Sequence, residues 1–591
     1  MKQFFKFMFA SMLGFFLCIV LFIFIAGAFT ASLVSSATKG SETHVGPGTV
    51  LHLKFDETIE DRVSNNPLRN FDISKLSGSS QLGLHDIIRN IKKAESDPNI
   101  NGLYLDLSGF SSGAAFAREL RDALLAFRKT KKFILTYADA YSQGAYYAAS
   151  VANEIWVHPE GMVEFKGFAS QTPYLKGLLS KLEIEPQIIR HGKYKSAVEP
   201  FLLDKMSDES REQVAAYVES FWTVFVDDIG SARNIDPTIL RNIADSMLVR
   251  TPDAALTYKL VDKVGYFDEF LSEVQERNGN KTDELPEFIS MNKYDKVVEK
   301  NSNKTFTRDR IAVIYASGDI VGGEGKDDEI GGADMAKTIR KARLDDHIKA
   351  VVLRVNSPGG DALASDVVWR EVSLCRKAKP FIVSMGNVAA SGGYYISCAA
   401  DTIVAEPNTI TGSIGVFGLM FNLQKMFSNK LGITFDGYKT SPFADIGTMS
   451  RPMTEKERMI ITGWVEKVYS TFVKRVADGR HLPEATVDSL AQGRVWSGTD
   501  AKNAGLVDVL GGLDTAIEIA AHKAGITNYR IKELPEQKDP FVSLLEDISG
   551  EAQTRWVQYT IGDKFEMVQS AEKLSRTQGV QARELFNLRI D

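Results

Sequence analysis

Short apolar runs alternate with amphipathic stretches along this chain. In the first half, Gly102–Leu107 and Phe133–Thr136 have the length of buried strands, and Ala115–Arg128 between them has the apolar spacing of a helix. Strands that alternate with helices predict parallel β-α-β units and an α/β fold. Ligand sites in such sheets lie beyond the carboxyl ends of the strands, so we expect catalytic or binding residues in the loops there.

The same pattern occurs twice. Ile100–Gly167 aligns without a gap to Ile348–Gly415, at an offset of 248 residues. Identical pairs in this alignment include Leu105 and Leu353, Gly144 and Gly392, Tyr146 and Tyr394, and Pro159 and Pro407. The period is far too long for a solenoid, so it predicts two homologous domains in tandem.

The repeat and the composition around it divide the chain into six segments. They are a cytoplasmic stub (1–6), a transmembrane anchor (7–34), an N-terminal repeat (49–277), a linker (278–305), a C-terminal repeat (306–535) and a helical tail (536–591). The linker is assigned because it is polar and rich in lysine. The tail is assigned to amphipathic helices, which we expect to pack on the body of the protein.

The N-terminal segment is the clearest targeting signal. Phe7–Val34 is almost uninterrupted apolar sequence without a charge, long enough to span a bilayer as a helix. Lys2 and Lys6 precede it, so the positive-inside rule places the N-terminus in the cytoplasm and the remainder outside. A cleaved signal peptide is the competing interpretation, since small residues lie between Ala26 and Ser36. The apolar run exceeds the core of a normal signal peptide, which favours an uncleaved anchor.

Composition excludes several classes of function. The 591 residues are 44% hydrophobic and 25% charged, with a net charge of −6 and no basic stripe, which argues against nucleic-acid binding. Only three cysteines occur, without a Cys/His cluster, so a zinc site or a disulfide framework is not expected. The length implies at least two domains.

Two motifs in the second copy resemble the halves of a serine hydrolase site. Ser391 lies in the small-residue run Ala389–Tyr395, at a predicted strand-to-helix turn, and Asn356–Gly360 is a glycine loop after an earlier strand. The N–H of Gly392 is a candidate oxyanion donor, and Gly359 or Gly360 could provide a second, because glycine lets the backbone approach a substrate closely. The alternative is a tight helix start with Ser391 as its N-cap.

The first copy lacks the same groups. Gln143 stands opposite Ser391, Phe165 stands opposite Ser413, and Ser111-Ser112 replaces the two glycines. A serine enzyme built on this duplication would therefore have its nucleophile in the second domain.

No histidine accompanies Ser391, so the base must be another group. A lysine can serve in its neutral form, because burial can lower its pKa from the ordinary value of about 10.4 by several units. Lys195 and Lys439 occupy equivalent positions in the two copies. Position alone leaves both as candidates.

Four segments together carry a family resemblance: Tyr194–Phe201, Asn356–Gly360, Ala389–Tyr395 and Thr411–Gly415. With them the chain resembles the signal peptide peptidase A family in its long, tandem-domain form, whose halves are similar to the crotonase/Clp-protease scaffold. The resemblance implies Ser391 as nucleophile, Lys195 as general base supplied by the other domain, and Ser413 as a hydroxyl that orients the lysine. One departure is Lys439, because long forms typically lack a lysine there, so Lys439 stays the alternative base.

The resemblance also carries expectations about partners and location. It implies a homotetramer anchored in the bacterial inner membrane, with catalytic domains on the periplasmic side and no metal, nucleotide or other cofactor. Expected substrates are cleaved signal peptides and other extended hydrophobic peptides, paired with the strand at Ile414, Gly415 and Val416. Two rival functions are a crotonase-like acyl hydrolase and a non-catalytic membrane scaffold.

Overall fold

A computed structural model describes residues 6–8, 11–18, 21, 45–55, 57–63, 71–72, 77–78, 82–279, 286–298, 307–326, 328–537 and 579–583. Within these ranges, no helix combines the length and the apolar character needed to cross a bilayer. The predicted stub and anchor, residues 1–6 and 7–34, fall mainly outside the described residues and stay predictions.

The strands of the described residues are numbered in chain order. They are β1 Thr49–Lys54, β2 Phe71–Asp72, β3 Ser77–Gly78, β4 Ile100–Asp106, β5 Phe133–Tyr141, β6 Glu154–Val163, β7 Glu185–His191, β8 Lys263–Val264, β9 Phe288–Ser290, β10 Arg310–Ser317, β11 Asp319–Val321, β12 Glu329–Gly331, β13 Ile348–Ser357, β14 Gly359–Asp361, β15 Phe381–Ala390, β16 Thr402–Ala405, β17 Ile410–Gly412, β18 Val416–Asn422, β19 Val495–Ser497, β20 Val509–Leu510, β21 Arg530–Leu534 and β22 Gly579–Arg583.

The α-helices are numbered in the same way. They are α1 Leu84–Ser96, α2 Ala114–Arg128, α3 Gln143–Ala149, α4 Lys176–Leu182, α5 Glu199–Leu202, α6 Asp208–Arg233, α7 Pro237–Asp245, α8 Pro252–Thr257, α9 Phe267–Arg277, α10 Met291–Asp295, α11 Gly332–Leu344, α12 Ala362–Ala378, α13 Gly392–Ser397, α14 Glu455–Arg480, α15 Glu484–Leu490, α16 Gly498–Asn503 and α17 Leu513–Ala524. A 3-10 turn, Ser196–Val198, precedes α5, and a π-helical turn, Met426–Leu431, follows β18.

Each half of the chain forms its own sheet, which is parallel in the first half and parallel in the second except for the edge strand β19. The first has the strand order β8-β6-β5-β4-β1-β9, and the second β19-β17-β15-β13-β10-β21, with β16 and β20 branching from β15. Helices cover both faces of the central strands, which explains why Ala350–Val355 in β13 is fully buried and mainly apolar. The α/β class and the tandem arrangement therefore agree with the sequence pattern.

A third sheet joins the two halves, and no local sequence pattern predicts it. Its order is β12-β11-β14-β22-β18-β7. β7 belongs to the first half and runs antiparallel to β18 of the second, from Val416 opposite His191 to Asn422 opposite Glu185. This pairing brings residues that follow β7 to the second half's catalytic motifs.

Buried charges also join the halves. The Arg354 side chain in β13 is fully buried and binds both carboxylate oxygens of Asp61, at 2.9 Å, and one oxygen of Glu119, at 2.5 Å. Both acidic residues belong to the first half. Because an unpaired buried charge is costly, this arrangement favours one defined docking of the two halves.

Two predicted boundaries need correction. The segment assigned as the linker 278–305 contributes β9 to the edge of the first sheet and then α10, because Ile289, Met291 and Tyr294 are buried there. The tail assigned to helices, 536–591, contains the strand β22, whose backbone pairs on both sides. The tail residues between 538 and 578 lie outside the described part of the chain, as do 584–591.

Candidate active site

Ser391 lies at the end of β15 with a strained backbone. Its φ of 54° and ψ of −113° fall outside the regions that non-glycine residues ordinarily occupy. Its N–H donates to the carbonyl of Gly412 at 2.8 Å, which fixes the turn to the neighbouring strand β17. Ser391 occupies the N-cap position of α13, but its side chain makes no capping hydrogen bond there, so capping does not account for its hydroxyl.

Lys195 of the first half meets Ser391 of the second. Its Nζ lies 3.1 Å from Ser391 Oγ and 2.9 Å from Ser413 Oγ. All three side chains are fully buried. The structure therefore brings together the three residues that the sequence resemblance singled out, from opposite halves of the duplication.

The backbone around Lys195 is held by the second half. Tyr194 donates its N–H to the carbonyl of Gln492 at 2.9 Å. Gln213 of α6 is buried beside this contact and bonds to the backbone of both halves. Its amide nitrogen donates to the Tyr194 carbonyl at 2.9 Å, and its side-chain oxygen accepts from the Val495 N–H at 3.0 Å. These hydrogen bonds fix the backbone next to Lys195 and so limit the positions that its side-chain amine can reach.

Gly493 lets the lysine come close. A β-carbon on Gly493 would lie 2.6 Å from Cβ of Lys195, and the residue has a φ of +77° that favours glycine. Its N–H donates to the Ile414 carbonyl at 2.9 Å, and its own carbonyl lies 3.4 Å from Ser413 Oγ. One glycine therefore contacts both the base candidate and the residue that orients it.

Ser413 is positioned by the same stretch of chain. Its N–H donates to the Arg494 carbonyl at 2.7 Å, and its φ is 48°. The backbone directs its hydroxyl to the lysine amine, which gives that amine a second fixed partner beside Ser391.

The predicted oxyanion glycines occupy distinct places. Gly392 begins α13, and a β-carbon on Gly359, whose φ is +99°, would lie 2.6 Å from the Gly392 nitrogen. The Gly359 N–H donates to Ser357 Oγ at 3.1 Å. Gly360 pairs with Ile320 within the third sheet. Because the Gly359 N–H is already bonded to Ser357 and Gly360 pairs within the sheet, the Gly392 N–H remains the stronger donor candidate.

The three residues predicted to bind substrate, Ile414, Gly415 and Val416, make different contacts in the structure. The Gly415 carbonyl lies 3.3 Å from Ser391 Oγ, and the Ile414 carbonyl accepts from Gly493. Val416 begins β18 and pairs with His191. On its other edge, β18 pairs with β22 from Phe417 to Leu419.

Lys439 lies elsewhere. It is exposed, and its amine forms an ion pair with Asp445 at 2.9 Å. Asp445 also binds Arg451, which in turn binds a glutamate of α14, so Lys439 belongs to a network that braces this irregular segment. The geometry joins Lys195 rather than Lys439 to Ser391.

In the first copy, the side chain at the position equivalent to Ser391 is hydrogen-bonded to the neighbouring loop. The Gln143 amide nitrogen donates to the Gly167 carbonyl at 3.0 Å, and its oxygen accepts from the N–H groups of Lys166 and Gly167. Ser142 is an ordinary N-cap of α3. The hydrogen-bonding groups of Gln143 are therefore all bonded to the loop at Lys166 and Gly167. This loop is equivalent to the one that Ser391 faces in the second copy.

Reasoning from the sequence missed Gln213 and Gly493. Gln213 ends the polar run Asp208–Gln213 that opens a long helix, and Gly493 is one glycine among 46. The signal that could have found them is the crossed arrangement of the two halves, which becomes visible only when β7 pairs with β18.

Known proteins are similar to this chain over most of its length. The chain matches the description "Peptidase family S49" twice, over residues 126–281 and 373–527. It is 36% identical over 527 residues to "Protease 4" of Salmonella typhi, covering 87% of this chain and 84% of the relative. It is 34% identical over 544 residues to "Serine protease SPPA, chloroplastic" of Arabidopsis thaliana, covering 91% and 78%.

A shorter relative matches one part of the chain. It is the "Putative signal peptide peptidase SppA" of Enterococcus faecium, which is 34% identical over 206 residues and covers 35% of this chain and 60% of that protein. The double family match agrees with the internal duplication and confirms the tandem arrangement.

Proposed function

This chain belongs to peptidase family S49 and is a serine peptidase, and we propose that Ser391 is its nucleophile and Lys195 its general base. The observation that carries the proposal is the buried contact of Lys195 Nζ with Ser391 Oγ at 3.1 Å. Burial favours the neutral form of an amine, which is the form able to accept a proton. The acyl hydrolase and scaffold alternatives are set aside, because the family is one of peptidases.

The first chemical step transfers one proton. Neutral Lys195 takes the hydroxyl proton of Ser391 as the oxygen attacks the scissile carbonyl carbon of the substrate. Ser413 holds the lysine amine at 2.9 Å, so the amine stays directed at the nucleophile. The developing oxyanion is stabilised by the Gly392 N–H at the start of α13, where the helix dipole favours negative charge.

The second step releases the product amine. Lys195 returns its proton to the leaving nitrogen, and the acyl group stays on Ser391 as an ester. Water, deprotonated by the same lysine, then hydrolyses this ester and restores the serine. One lysine therefore serves as base and as acid in turn.

The substrates that fit are extended apolar peptides, including cleaved signal peptides. A relative in Enterococcus faecium is named for signal peptides. Beside β18, the buried side chains of Phe417 and Leu419 pack with Ala197, Val198 and Phe201 in one apolar cluster. This apolar cluster, and the pairing of β18 with an extended segment of the chain itself, β22, support recognition of an extended hydrophobic chain.

Hydrolysis of a fluorogenic hydrophobic peptide tests the proposal. The purified protein is expected to cleave the peptide, and Ser391→Ala is expected to lose the activity. Full cleavage by the Ser391→Ala variant, at the same folded content by circular dichroism, would refute the assignment of the nucleophile.

The apolar N-terminal segment bears on the location of the protein. We propose a homotetramer held by residues 7–34 in the bacterial inner membrane, with the catalytic halves on the periplasmic side. The uncharged apolar run and the lysines before it support this topology. Alkaline extraction of membranes should leave the protein in the pellet, and light scattering in detergent should give four chains; a soluble monomer would contradict both points.

A further inference from the structure

The Arg494 side chain lies against the residue that precedes Lys195. Arg494 directly precedes β19 of the second half, and its guanidinium carbon lies 4.9 Å from the centre of the Tyr194 ring of the first half. The same carbon lies 4.8 Å from the ring of Trp496 in β19. A guanidinium within about 6 Å of an aromatic ring centre is attracted by the π electrons of the ring. Arg494 therefore links the two halves next to Lys195.

Glu212 of α6 completes this contact. It accepts a hydrogen bond from the Tyr194 hydroxyl at 3.0 Å, and its other carboxylate oxygen lies 3.2 Å from the Arg494 guanidinium. The Glu212 side chain is 54% exposed, so water screens this ion pair and the contact with the rings carries more of the attraction. Tyr194 is thus held at its ring by Arg494 and at its hydroxyl by Glu212.

Tyr194 anchors the turn that leads from β7 to Lys195. Its side chain is buried, whereas that of Lys193, the residue before it, is exposed. The Lys193 amine also lies 4.9 Å from the centre of the Tyr194 ring, but Lys193 belongs to the same turn, so this contact does not tie the turn to the second half. A shift of the Tyr194 ring therefore moves the base that follows it, and a shift of about 1 Å is enough to cost much of the rate.

The main chain of Arg494 contacts the second hydroxyl of the site. Its carbonyl accepts a hydrogen bond from the Ser413 N–H at 2.7 Å. Arg494 therefore contacts Ser413 with its backbone and the turn before Lys195 with its side chain. Arg494→Ala keeps the first contact and removes the second, so this substitution isolates the role of the side chain.

We propose that Arg494 is a positioning residue, which keeps the Lys195 amine within reach of Ser391 by holding the Tyr194 ring. This inference rests on the proposed function, because it takes Lys195 as the base. Arg494 acts through Tyr194 and takes no part in the proton transfer itself. It should therefore affect the rate of the chemical step and leave the affinity for substrate unchanged.

Steady-state kinetics with the fluorogenic hydrophobic peptide test this role. Arg494→Ala should lower kcat about tenfold, because Tyr194 loses a contact and Lys195 loses a defined position. KM should change by less than about twofold, since the residues assigned to substrate binding are kept. A loss expressed in KM, with kcat unchanged, would overturn the proposal.

Arg494→Lys tests whether the positive charge holds the ring. A lysine keeps a cation near Tyr194 and Glu212 but lacks the flat guanidinium. The kcat of Arg494→Lys should stay within about threefold of the wild-type value, because the attraction between cation and ring is retained. A loss as large as that of Arg494→Ala would count against the proposed contact.

Arg62→Ala is the matched control, because Arg62 joins the two halves by the same kinds of contact. Its guanidinium carbon lies 5.3 Å from the centre of the Tyr315 ring, and its side chain forms an ion pair with Glu533 at 3.4 Å. The side chains of Arg62 and Arg494 are also similarly covered, at 18% and 25% exposed. Arg62→Ala should keep kcat within about twofold of the wild-type value, because it leaves the base in place. An equal loss of kcat in both variants would assign the effect to weaker docking of the halves and overturn the proposal.

A double-mutant cycle tests whether Arg494 acts through Tyr194. Tyr194→Leu removes the ring, so adding Arg494→Ala to it should lower kcat by less than about twofold further. A double variant that loses the full product of the two single losses would show independent effects and contradict the proposed route. Circular dichroism of each variant ensures that equal amounts of folded protein are compared.

Lys195→Ala in the same assay separates two kinds of failure. Loss of activity in Lys195→Ala, together with an unchanged kcat in Arg494→Ala, would refute the positioning role while the proposed function stands. Full activity in Lys195→Ala would refute Lys195 as the base, and the positioning role with it.

Discussion

Ser391 and Ser413 both hold a positive φ angle, of 54° and 48°. Such a conformation costs a non-glycine residue about 1–3 kcal/mol and persists only where the surroundings enforce it. Here the enforcing contacts are backbone hydrogen bonds, from Ser391 to Gly412 and from Ser413 to Arg494. The strain turns both hydroxyls toward Lys195, so the two serines are placed by the backbone rather than by side-chain flexibility.

Ser413→Ala tests how much the second hydroxyl contributes. The variant should lose about three- to tenfold in kcat/KM, because one hydrogen bond to the lysine is removed while the base and nucleophile remain. Ser150→Ala is the matched control, since Ser150 is also fully buried but donates its hydroxyl to the Tyr147 carbonyl in the first half. Equal activity losses in the two variants would argue against an orienting role for Ser413.

At the scale of elements, the site depends on one strand that crosses between the halves. β7 leaves the first half and pairs with β18, and Lys195 follows shortly after β7 ends at His191. The carbonyl of Lys195 accepts a hydrogen bond from the Arg190 side chain at 3.2 Å. This contact ties the lysine back to the strand that carries it, so the position of the base follows the pairing of β7 with β18.

Gly493→Ala tests the close approach of this segment to the second half. The variant should lose about 100-fold in kcat/KM, because a β-carbon 2.6 Å from Lys195 Cβ must displace the base, and a displacement of about 1 Å is enough for a loss of this size. Its free energy of unfolding, measured in urea, should also fall by about 2–4 kcal/mol. Both the backbone strain at a positive φ and the overpacking by the added β-carbon destabilise the folded state.

Gly525→Ala is the matched control for Gly493→Ala. Gly525 also has a positive φ, of +67°, but a β-carbon there would meet nothing within 4 Å among the described residues. It should lose about 1–2 kcal/mol of stability from the backbone alone and keep its activity. Unchanged activity in Gly493→Ala would show that Lys195 tolerates displacement.

The sequence could predict the elements whose signals are local. The apolar runs of β4 and β13 and the turn at Ser391 follow from residues close together in the chain. β9 was missed because three residues after a polar stretch carry little periodicity, and β22 because its pairing partners, β14 and β18, lie far away in sequence. Long-range pairing of short strands leaves no local pattern in the sequence.

At the scale of the whole molecule, buried charges lie where the two halves meet. Glu406 of the second half is buried, with one carboxylate oxygen 3.5 Å from Arg118 of the first half. That oxygen accepts no hydrogen bond from any residue that the structure describes. Burial, and then the nearby carboxylate of Glu119, raise the pKa of Glu406 well above its ordinary value.

The raised pKa of Glu406 predicts a pH dependence of stability. Between the ordinary and the raised pKa the folded chain keeps a proton that the unfolded chain has lost, so stability falls as pH rises through this window. Glu406→Gln cannot ionise, and from about pH 5 to about pH 8 it should gain at least about 1 kcal/mol relative to the wild type. Urea unfolding at both pH values measures the change.

The exposed Glu518→Gln serves as the control for this measurement. The stability of Glu406→Gln relative to the wild type should rise more between about pH 5 and about pH 8 than that of Glu518→Gln. An equal change in the two variants, or a relative loss of stability in Glu406→Gln as pH rises, would contradict the assignment of the raised pKa.

The duplication explains why the site could be found from the sequence while its assembly could not. Comparing Ser391 with Gln143 identifies the active copy, because both residues lie in one gapless alignment. Choosing between Lys195 and Lys439 requires the crossing of β7 to β18, which puts one lysine beside Ser391 and leaves the other paired with Asp445.

The central claim is that a lysine of the first half activates the serine of the second. A serine-directed phosphonate probe, with the modified residue and its rate read by mass spectrometry, tests this most directly. The wild type and Lys439→Ala should be modified at Ser391 at equal rates, and Lys195→Ala at least about 100-fold more slowly, because it lacks the base. Modification of another residue, or an undiminished rate in Lys195→Ala with a loss in Lys439→Ala, would contradict the account.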